Sequence, residues 1–312
     1  MTQIPSVSAV ITCFNSEDTI QAAIDSALRQ SVALDQIIVV DDGSHDNSVK
    51  LIKEYGDRIL LVESHSQSPS GARNAGIERC MSHFIAFLDG DDVWHEDKTK
   101  TQLAAALLNP HCDVIACDWS RDLEKINCEV AQEVRVYAAD IAVINKFQTS
   151  TALVKREVFD MVGNFDPDTD VAEDWDMWLR IAKHGSALIL RAPMVFYRDN
   201  VKGVSKNVSL LRKQIATILA REYTSDYFSR EFISILRAWH HQRFIVAALL
   251  SHDVAELEDL IKTLGSSGSP KYQIKAFFRL TLPFLFQRFS RHAKALQDKS
   301  IRLVTAMTKV EL

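Results

Sequence analysis

The sequence predicts an α/β protein built on a mainly parallel β-sheet. Over the first 120 residues, short apolar runs alternate with segments of helical periodicity. The runs are apolar at consecutive positions, which is typical of strands covered by helices on both faces. Aspartates follow two of the runs directly, and ligands bind beyond the carboxyl ends of the strands in such sheets. We therefore expect a ligand site at that edge.

Five predicted strands span residues 6–12, 36–42, 58–64, 83–92 and 113–119. Four predicted helices lie between them at 16–30, 44–56, 68–82 and 96–110. Cap and stop residues support these helices. Ser16 and the Ser68-Pro69 pair are good helix starts, and Gly56 and Pro110 are good helix stops. The strand and helix alternation is what predicts parallel pairing.

The chain after residue 120 is more mixed. Residues 147–166 read as a strand, a short helix and a turn, and residues 172–185 as a helix ending at a glycine. Residues 187–198 read as two short strands broken by Pro193, because proline cannot donate a ladder hydrogen bond. From residue 205 onward the pattern is helical, with "GSSGSP" at 265–270 predicting a linker.

Composition favours a soluble globular protein. The 312 residues are 47% hydrophobic and 25% charged, which is ordinary for that class. The sequence has no 18-residue apolar stretch and begins without a basic region, so we expect neither a membrane span nor a signal peptide. Five cysteines lack metal-ligand spacing, and we expect reduced thiols in a cytosolic compartment.

Charge is unevenly distributed along the chain. The net charge is −5, but residues 271–312 carry nine Lys or Arg against Asp298 and Glu311, a balance of +7. Residues 1–270 therefore carry −12. An acidic body argues against nucleic-acid binding. The basic tail alternates apolar and cationic residues, which predicts either a helix at an anionic membrane surface or a terminal helix pair packed on the body.

The segment "FLDGDD" places Asp89, Asp91 and Asp92 on one short turn after a strand. A solvated acidic turn is one interpretation, but carboxylates this close invite a hard divalent cation. The spacing does not fit a calcium loop. It partly fits the D-x-D-x-T/V motif of haloacid-dehalogenase-type phosphatases, where the first Asp is a nucleophile. That motif usually follows the first strand of its domain, whereas three predicted strands precede this one.

Two further acidic segments have simple structural explanations. "VVDDGSHDNS" can be a strand end, a turn and a helix cap, although two adjacent aspartates at the strand tip are less well explained. In "AEDWDMWLR", Glu173, Asp174 and Asp176 complement the dipole of a helix start. Trp175 and Trp178 are equally consistent with a core position and with the wall of a sugar site.

Taken together, five segments resemble the family 2 glycosyltransferases of the GT-A fold. They are "VITCFNSEDTIQAAIDSALRQS", "IIVVDDGSHDNS", "GARNAGI", "FIAFLDGDDVW" and "EDWDMWLR". Their order and spacing over residues 6–204 carry the resemblance, because each motif alone is weak. The resemblance implies an inverting enzyme that uses a nucleotide-diphosphate sugar. The absence of a G-x-G-T-R-like loop and of a Q-x-x-R-W-like motif argues against nucleotidyltransferases and processive synthases, so we expect one sugar added per encounter.

The resemblance also implies a divalent metal, Mg²⁺ or Mn²⁺, between the acidic turn and the donor diphosphate. Such an ion stabilises negative charge on the leaving nucleoside diphosphate. Asp91 matches the direct metal ligand, and Asp92 is a further candidate. Asp89 matches the residue that faces the ribose or the water shell of the metal.

The nucleoside site is implied at the first two strand tips. Thr12 and Phe14 match positions that line the base and ribose, although relatives more often have tyrosine or another aromatic at the Phe14 position. Asp41 matches the acid that accepts the N3–H of uracil or thymine, which favours a UDP- or dTDP-sugar. Arg73 matches a basic residue near the base and diphosphate. An ion pair with a strand-tip acid is its structural explanation, and both roles can hold together.

Catalysis by inversion needs a carboxylate that takes the acceptor proton. Asp174 matches that base, and Glu173 would orient it or touch the acceptor. Asp176 is left unassigned. "YRDNVKGVS" resembles a loop that closes over the diphosphate, with Arg198 and Ser205 as weaker candidates.

The predicted organisation has three parts: a GT-A domain over 1–204, a helical extension over 205–264 and a basic amphipathic tail over 271–312. The extension could be a dimer or an acceptor-binding module. We expect a glycan or lipid-linked acceptor, and a cytoplasmic protein that contacts the inner face of the membrane through its tail. A non-catalytic domain that only binds a nucleotide sugar remains an alternative.

Overall fold

The computed structural model describes residues 5–198, 207–251, 253–263, 269–277 and 281. The chain divides into two compact units. The first comprises Met1–Ile141 and Asn145–Gly203, and the second comprises Ala142–Ile144 and Val204–Leu312. The described part of the first unit carries the sheet, and the described part of the second is helical.

The strands are β1 (Val7–Cys13), β2 (Gln36–Asp41), β3 (Leu60–Glu63), β4 (Phe84–Asp89), β5 (Val93–Trp94), β6 (Cys112–Ser120), β7 (Glu133–Val136), β8 (Leu153–Lys155) and β9 (Ser186–Phe196). The helices between them are α1 (Ile20–Leu28), α2 (Ser48–Lys53), α3 (Pro69–Ile77), α4 (Lys98–Leu108), α5 (Ala138–Val143), α6 (Glu157–Val162) and α7 (Glu173–His184). The predicted α/β class is confirmed.

The N-terminal half of the sheet is parallel, in the order β3-β2-β1-β4. The central strands β1, β2 and β4 are buried at nearly every position, which is why their sequences are continuous apolar runs. The register pairs Cys13 with Asp41 and Thr12 with Asp89. Three strand tips therefore end side by side at one edge of the sheet.

The other half of the sheet mixes directions. Strand β8 lies antiparallel between β4 and β6, and β9 runs parallel to β6. Strands β5 and β7 pair antiparallel with β9. Because β4 and β6 both pair antiparallel with β8, they run parallel to each other. The crossover from β6 to β9 contains α7, whose first turn carries Glu173 and Asp174.

The region 187–198, predicted as two strands, contains one strand, β9 (Ser186–Phe196). Strand β9 continues through Pro193, and its register against β6 shifts on both sides of Asp118, which pairs with Pro193. A bulge of this kind absorbs the missing donor of a proline without ending the strand. The prediction of a break at Pro193 is therefore wrong.

One hydrophobic cluster of the first unit packs the sheet against α1, α2 and α4. Its buried side chains include Ile11 and Val39 from the strands, and Ile20 and Ile24 from α1. The predicted helical spacing of the α1 residues is what directs them to one face. All five cysteines are free thiols, and four of them are buried in the described structure.

In the second unit the described helices are α8 (Val208–Thr224), α9 (Arg230–Ser251), α10 (Val254–Thr263) and α11 (Pro270–Ala276). Asn207 caps α8, its Oδ1 accepting the N–H of Leu210 at 3.0 Å. Arg212 on α8 pairs with Glu256 and Asp259 on α10. Among the described helices, none has the length and apolarity to cross a bilayer. The basic tail beyond residue 277 lies outside the described residues, apart from residue 281.

Gly76 sets how closely α3 approaches the sheet. A Cβ atom at this position would lie 2.4 Å from Cγ1 of Val10 and 3.2 Å from Cγ2 of Val40. Both neighbours are β-branched side chains on buried strands, which have little rotamer freedom. The close approach matters because α3 carries Arg73, one turn before Gly76.

We predict that Gly76→Ala destabilises the protein by about 1–3 kcal/mol, because the added methyl group overpacks the helix–sheet contact. Chemical denaturation would measure the loss. Ala22→Val, which adds more volume on the exposed side of α1, should cost less than about 1 kcal/mol. Equal losses in the two variants would contradict this explanation.

Candidate active site

The site is built on the adjacent carboxyl ends of β1, β2 and β4. Thr12 Oγ1 donates to Asp89 Oδ1 at 3.3 Å. The Asp89 N–H donates to Ser150 Oγ at 3.0 Å, and the next N–H, of Gly90, donates to the Thr12 carbonyl at 2.8 Å. These bonds tie the start of the acidic turn to β1 and to the segment before β8. Ser150 carried no signal in the sequence.

Asp41 offers a buried oxygen at the tip of β2. Its side chain is only 3% exposed. Oδ2 accepts the N–H groups of Gly43 and Ser44 at 3.2 and 3.0 Å, while Oδ1 is buried and has no hydrogen-bond partner in the described structure. Phe14, which follows β1, is 55% exposed. An aromatic face and an unpaired acceptor are thus presented by neighbouring strand tips.

Asp42, which follows Asp41 in the sequence, has a structural role. Asp42 Oδ1 accepts the N–H and Oγ–H of Ser66, each at 2.8 Å, and Oδ2 accepts the N–H of Ser68 at 2.8 Å. Although burial acts to raise it, these bonds hold the pKa of Asp42 below its usual value. Asp42 therefore anchors the chain that leads into α3, whose cap is Ser68.

The acidic turn brings Asp89, Asp91 and Asp92 together. Burial and the Asp89 carboxylate raise the pKa of Asp91 to about 6. Asp92 is 1% exposed, and its Oδ1 accepts the Arg198 N–H at 3.0 Å, whereas its Oδ2 is buried without a partner in the described structure. Burial and Asp89 raise the pKa of Asp92 well above its usual value.

A metal ion at the acidic turn would need coordinating atoms from a bound substrate as well as from the protein. Among the described residues, His, Cys, Asp and Glu side chains form no group of three that could hold a metal ion. Mg²⁺ is commonly bound by one or two carboxylates plus substrate phosphates. The raised pKa of Asp91 beside Asp89 fits that arrangement, because a cation between two carboxylates would relieve their repulsion. That Asp91 and Asp92 are ligands stays a prediction.

Arg73 joins the acidic turn to α7. Nη2 donates to Asp89 Oδ1 at 2.9 Å, and Nη1 donates to Glu173 Oε1 at 2.6 Å. The side chain is buried, with Cζ 5.5 Å from the centroid of the Phe165 ring. Although burial opposes it, the two carboxylates raise the pKa of Arg73, so the guanidinium stays charged. The predicted ion pair between Arg73 and a strand-tip acid is therefore present, with Asp89 as that acid, and Glu173 is a second partner. The role of Arg73 near the base and diphosphate stays a prediction.

Glu173 and Asp174 open α7 beside this arginine. Burial acts to raise the pKa of Glu173 and the Asp174 carboxylate adds to the rise, whereas the ion pair with Arg73 opposes it. Asp174 Oδ1 accepts the Trp175 N–H at 2.6 Å, and Oδ2 accepts Asn145 Nδ2 at 2.7 Å. Burial also raises the pKa of Asp174, against Arg73 and the Asn145 bond. Carboxylates with raised pKa values are suited to accept a proton near neutral pH.

The remaining residues of α7 are structural. Asp176 is fully buried and pairs with Arg180 at 2.8 Å, and Arg180 also donates to the Val162 carbonyl at 2.6 Å. Trp175 and Trp178 are buried, and Trp178 packs against the rings of Phe147 and Phe165. Both tryptophans therefore belong to the core, which decides between the two interpretations of this pair.

Arg198, at the end of β9, is exposed and next to the acidic turn. Its Nε donates to the Asp91 carbonyl at 3.2 Å, and its Cζ lies 5.4 Å from the Phe196 ring centroid. The guanidinium is thus held beside the candidate metal ligand. Ser205, the other candidate in this loop, lies outside the described residues.

The chain is similar in sequence to known glycosyltransferases. The sequence model of glycosyl transferase family 2 matches residues 8–154. Over 105 residues the chain is 39% identical to the Escherichia coli protein UDP-Glc:alpha-D-GlcNAc-diphosphoundecaprenol beta-1,3-glucosyltransferase WfgD. That alignment covers 33% of this chain and 42% of WfgD, so it spans less than half of the relative.

Solved structures share the fold at low identity. TarS residues 1–349 from S. aureus, in complex with UDP-GlcNAc, superimposes with a TM-score of 0.67 at 14% identity, covering 96% of this chain and 90% of TarS. The mannosyltransferase PcManGT from Pyrobaculum calidifontis, in complex with GDP-Man and Mn²⁺, superimposes with a TM-score of 0.59 at 17% identity, covering 99% and 88%. The predicted GT-A fold is confirmed. The family match favours the glycosyltransferase interpretation over the phosphatase interpretation.

We predict that Arg73→Met destabilises the protein by about 3–5 kcal/mol, because it leaves the buried Glu173 carboxylate without its cation. Denaturant unfolding at neutral pH would measure the loss. Arg29→Met is the matched control, since Arg29 is exposed and lies 3.9 Å from Asp25. Exposed ion pairs contribute at most about 1 kcal/mol to the free energy of unfolding. Similar losses in the two variants would contradict the bridging role of Arg73.

Proposed function

We propose that the protein transfers one sugar from a nucleotide-diphosphate sugar to an acceptor hydroxyl, with inversion. The match of the glycosyl transferase family 2 model to residues 8–154 supports this proposal. The observation that carries this proposal is the arrangement at the sheet edge. Asp41 and Asp89 end the two strands that flank β1, and Arg73 connects Asp89 to the Glu173–Asp174 pair. A donor site and a base are thus joined through one side chain.

We propose a UDP- or dTDP-sugar as the donor. Asp41 Oδ1 is a buried acceptor without a partner in the described structure, and uracil and thymine both present an N3–H that would satisfy it. Phe14 would stack on the base, and Thr12 would lie near the ribose. The UDP-GlcNAc complex of TarS supports a uridine donor.

We propose that Mg²⁺ or Mn²⁺ binds with the donor, held by Asp91 and with Asp89 and Asp92 close by. The ion would offset the negative charge that develops on the leaving nucleoside diphosphate. The PcManGT complex with Mn²⁺ supports this choice of ion. Arg198, exposed beside Asp91, would add a second positive charge near the diphosphate. Ser205 remains a weaker candidate for the same role.

Asp174 is proposed as the general base. Its two oxygens each accept one hydrogen bond from the protein, and each carboxylate oxygen has a second lone pair. That lone pair would take the proton of the acceptor hydroxyl as the hydroxyl attacks C1 of the sugar. Glu173, fixed by Arg73, would keep the first turn of α7 in place and border the acceptor.

The acceptor is proposed to be a glycan or lipid-linked sugar in the synthesis of a surface polysaccharide. The name of WfgD specifies a diphosphoundecaprenol-linked acceptor, which supports a lipid-linked substrate for this chain. We place the protein in the cytoplasm, at the inner face of the membrane, with the basic tail over 271–312 as the contact. The helices over 205–264 would bind the acceptor or a second copy of the chain, and residues 1–204 would catalyse transfer.

We predict that the chain binds one class of nucleotide sugar, and that binding needs both Mn²⁺ and Asp91. Calorimetry with UDP-, dTDP- and GDP-sugars would test it. Asp91→Asn should weaken binding at least about 10-fold, which corresponds to 1.4 kcal/mol. Asp57→Asn, at an exposed turn, should bind normally. Failure of the folded wild-type chain to bind any donor would overturn the proposed function.

We predict that Asp174→Asn lowers kcat by about 10²–10⁴-fold, the usual contribution of a general base, while donor affinity is unchanged. Release of the nucleoside diphosphate would be the activity measurement, and calorimetry would report the affinity. Asp160→Asn, on the exposed side of α6, is the control. A kcat near that of the wild type would remove Asp174 from the role of base.

A further inference from the structure

We infer that Asn145 is a positioning residue that holds the Asp174 carboxylate ionised and in one orientation. This inference rests on the proposed function, because it assigns a supporting residue to the proposed base. Asn145 lies in the segment after α5, about 30 residues before Asp174 in the sequence, and none of the recognised motifs includes it.

The geometry places a neutral donor directly on the base. Asn145 Nδ2 lies 2.7 Å from Asp174 Oδ2, which is at the short end for such a bond and typical of a charged acceptor. The Trp175 N–H fixes the other oxygen at 2.6 Å. With a donor on each oxygen, the plane of the carboxylate is determined, and rotation about its last bond would break both contacts.

The rest of the Asn145 amide argues against a purely structural role. Its Oδ1 is buried and has no hydrogen-bond partner in the described structure. A buried acceptor without a partner is destabilising. The reverse orientation of the amide is worse, because it would turn Oδ1 toward the carboxylate and leave the NH₂ group unpaired. The chain therefore retains an unfavourable group whose side-chain hydrogen bond in the described structure is to Asp174.

The charges around Asp174 explain why a neutral donor is suited to this position. Glu173 on the same helix and Asp89 on β4 are carboxylates, and both disfavour ionisation of Asp174, whereas Arg73 on α3 favours it. A second cation would over-stabilise the carboxylate and weaken it as a base. An amide lowers the pKa of Asp174 more gently and keeps the carboxylate available to accept a proton.

The test is the pH dependence of kcat/KM, with release of the nucleoside diphosphate from whichever donor the wild-type chain binds. Asn145→Ala should lower kcat/KM at neutral pH about 10-fold. It should also move the acidic limb of the profile upward by about one pH unit, the equivalent of one hydrogen bond to a charged group. Asn145→Asp places a second carboxylate beside that of Asp174. It should move the acidic limb of the profile further upward, and activity should recover at alkaline pH.

Asn127→Ala is the matched control, since Asn127 also donates one side-chain hydrogen bond, to the Lys125 carbonyl at 3.2 Å. Its profile should match that of the wild type. Donor affinity should be the same in all four proteins. The inference would be overturned if the acidic limb of the pH profile did not move in either Asn145 variant. It would also be overturned if the variants lost activity at every pH while donor binding and the unfolding midpoint stayed normal. A wild-type chain that binds no donor would instead refute the proposed function.

Discussion

The site depends on the buried guanidinium of Arg73, which pairs with acids from two distant parts of the chain. Asp89 ends a strand and Glu173 begins a helix, and both carboxylates would be costly beside each other without a cation. Arg73 can reach both because Gly76 lets α3 lie close against β1 and β2. The position of one helix therefore determines whether the strand tips and the first turn of α7 form a single site.

The two adjacent aspartates at the end of β2 have different roles: Asp42 stabilises the local structure, and Asp41 is proposed to bind the donor. Asp42 has both oxygens occupied by Ser66 and Ser68, so it holds the path into α3. Asp41 faces the other way, since successive side chains of a strand alternate, and one of its oxygens has no partner in the described structure. The same residue type, one position apart, thus anchors the helix start in one case and presents an acceptor in the other.

Local pattern was enough to predict much of this molecule. Continuous apolar runs gave β1, β2 and β4, and the acids that follow them were expected at one edge because parallel strands end together. Three features depended on contacts that no local pattern encodes. Strand β9 passes Pro193 because a bulge against β6 absorbs it. Trp175 and Trp178 are buried by the fold of the crossover. Asn145 and Ser150 reach the site only because the segment between β7 and β8 folds back over the ends of β4 and α7.

Three buried oxygens without a hydrogen-bond partner in the described structure lie at the same edge of the sheet as the acidic motifs. Among the side chains that the structure describes, three carboxylate or amide oxygens are buried without a partner: Asp41 Oδ1, Asp92 Oδ2 and Asn145 Oδ1. Native proteins satisfy most buried polar atoms, and each exception costs about 1–3 kcal/mol. All three belong to residues that line or support one edge of the sheet. Buried side-chain atoms without a partner also occur away from this edge in the described structure, among them Thr99 Oγ1 and Arg156 Nε. What distinguishes the three oxygens at the edge is that each is an acceptor beside a proposed donor site, metal ligand or base.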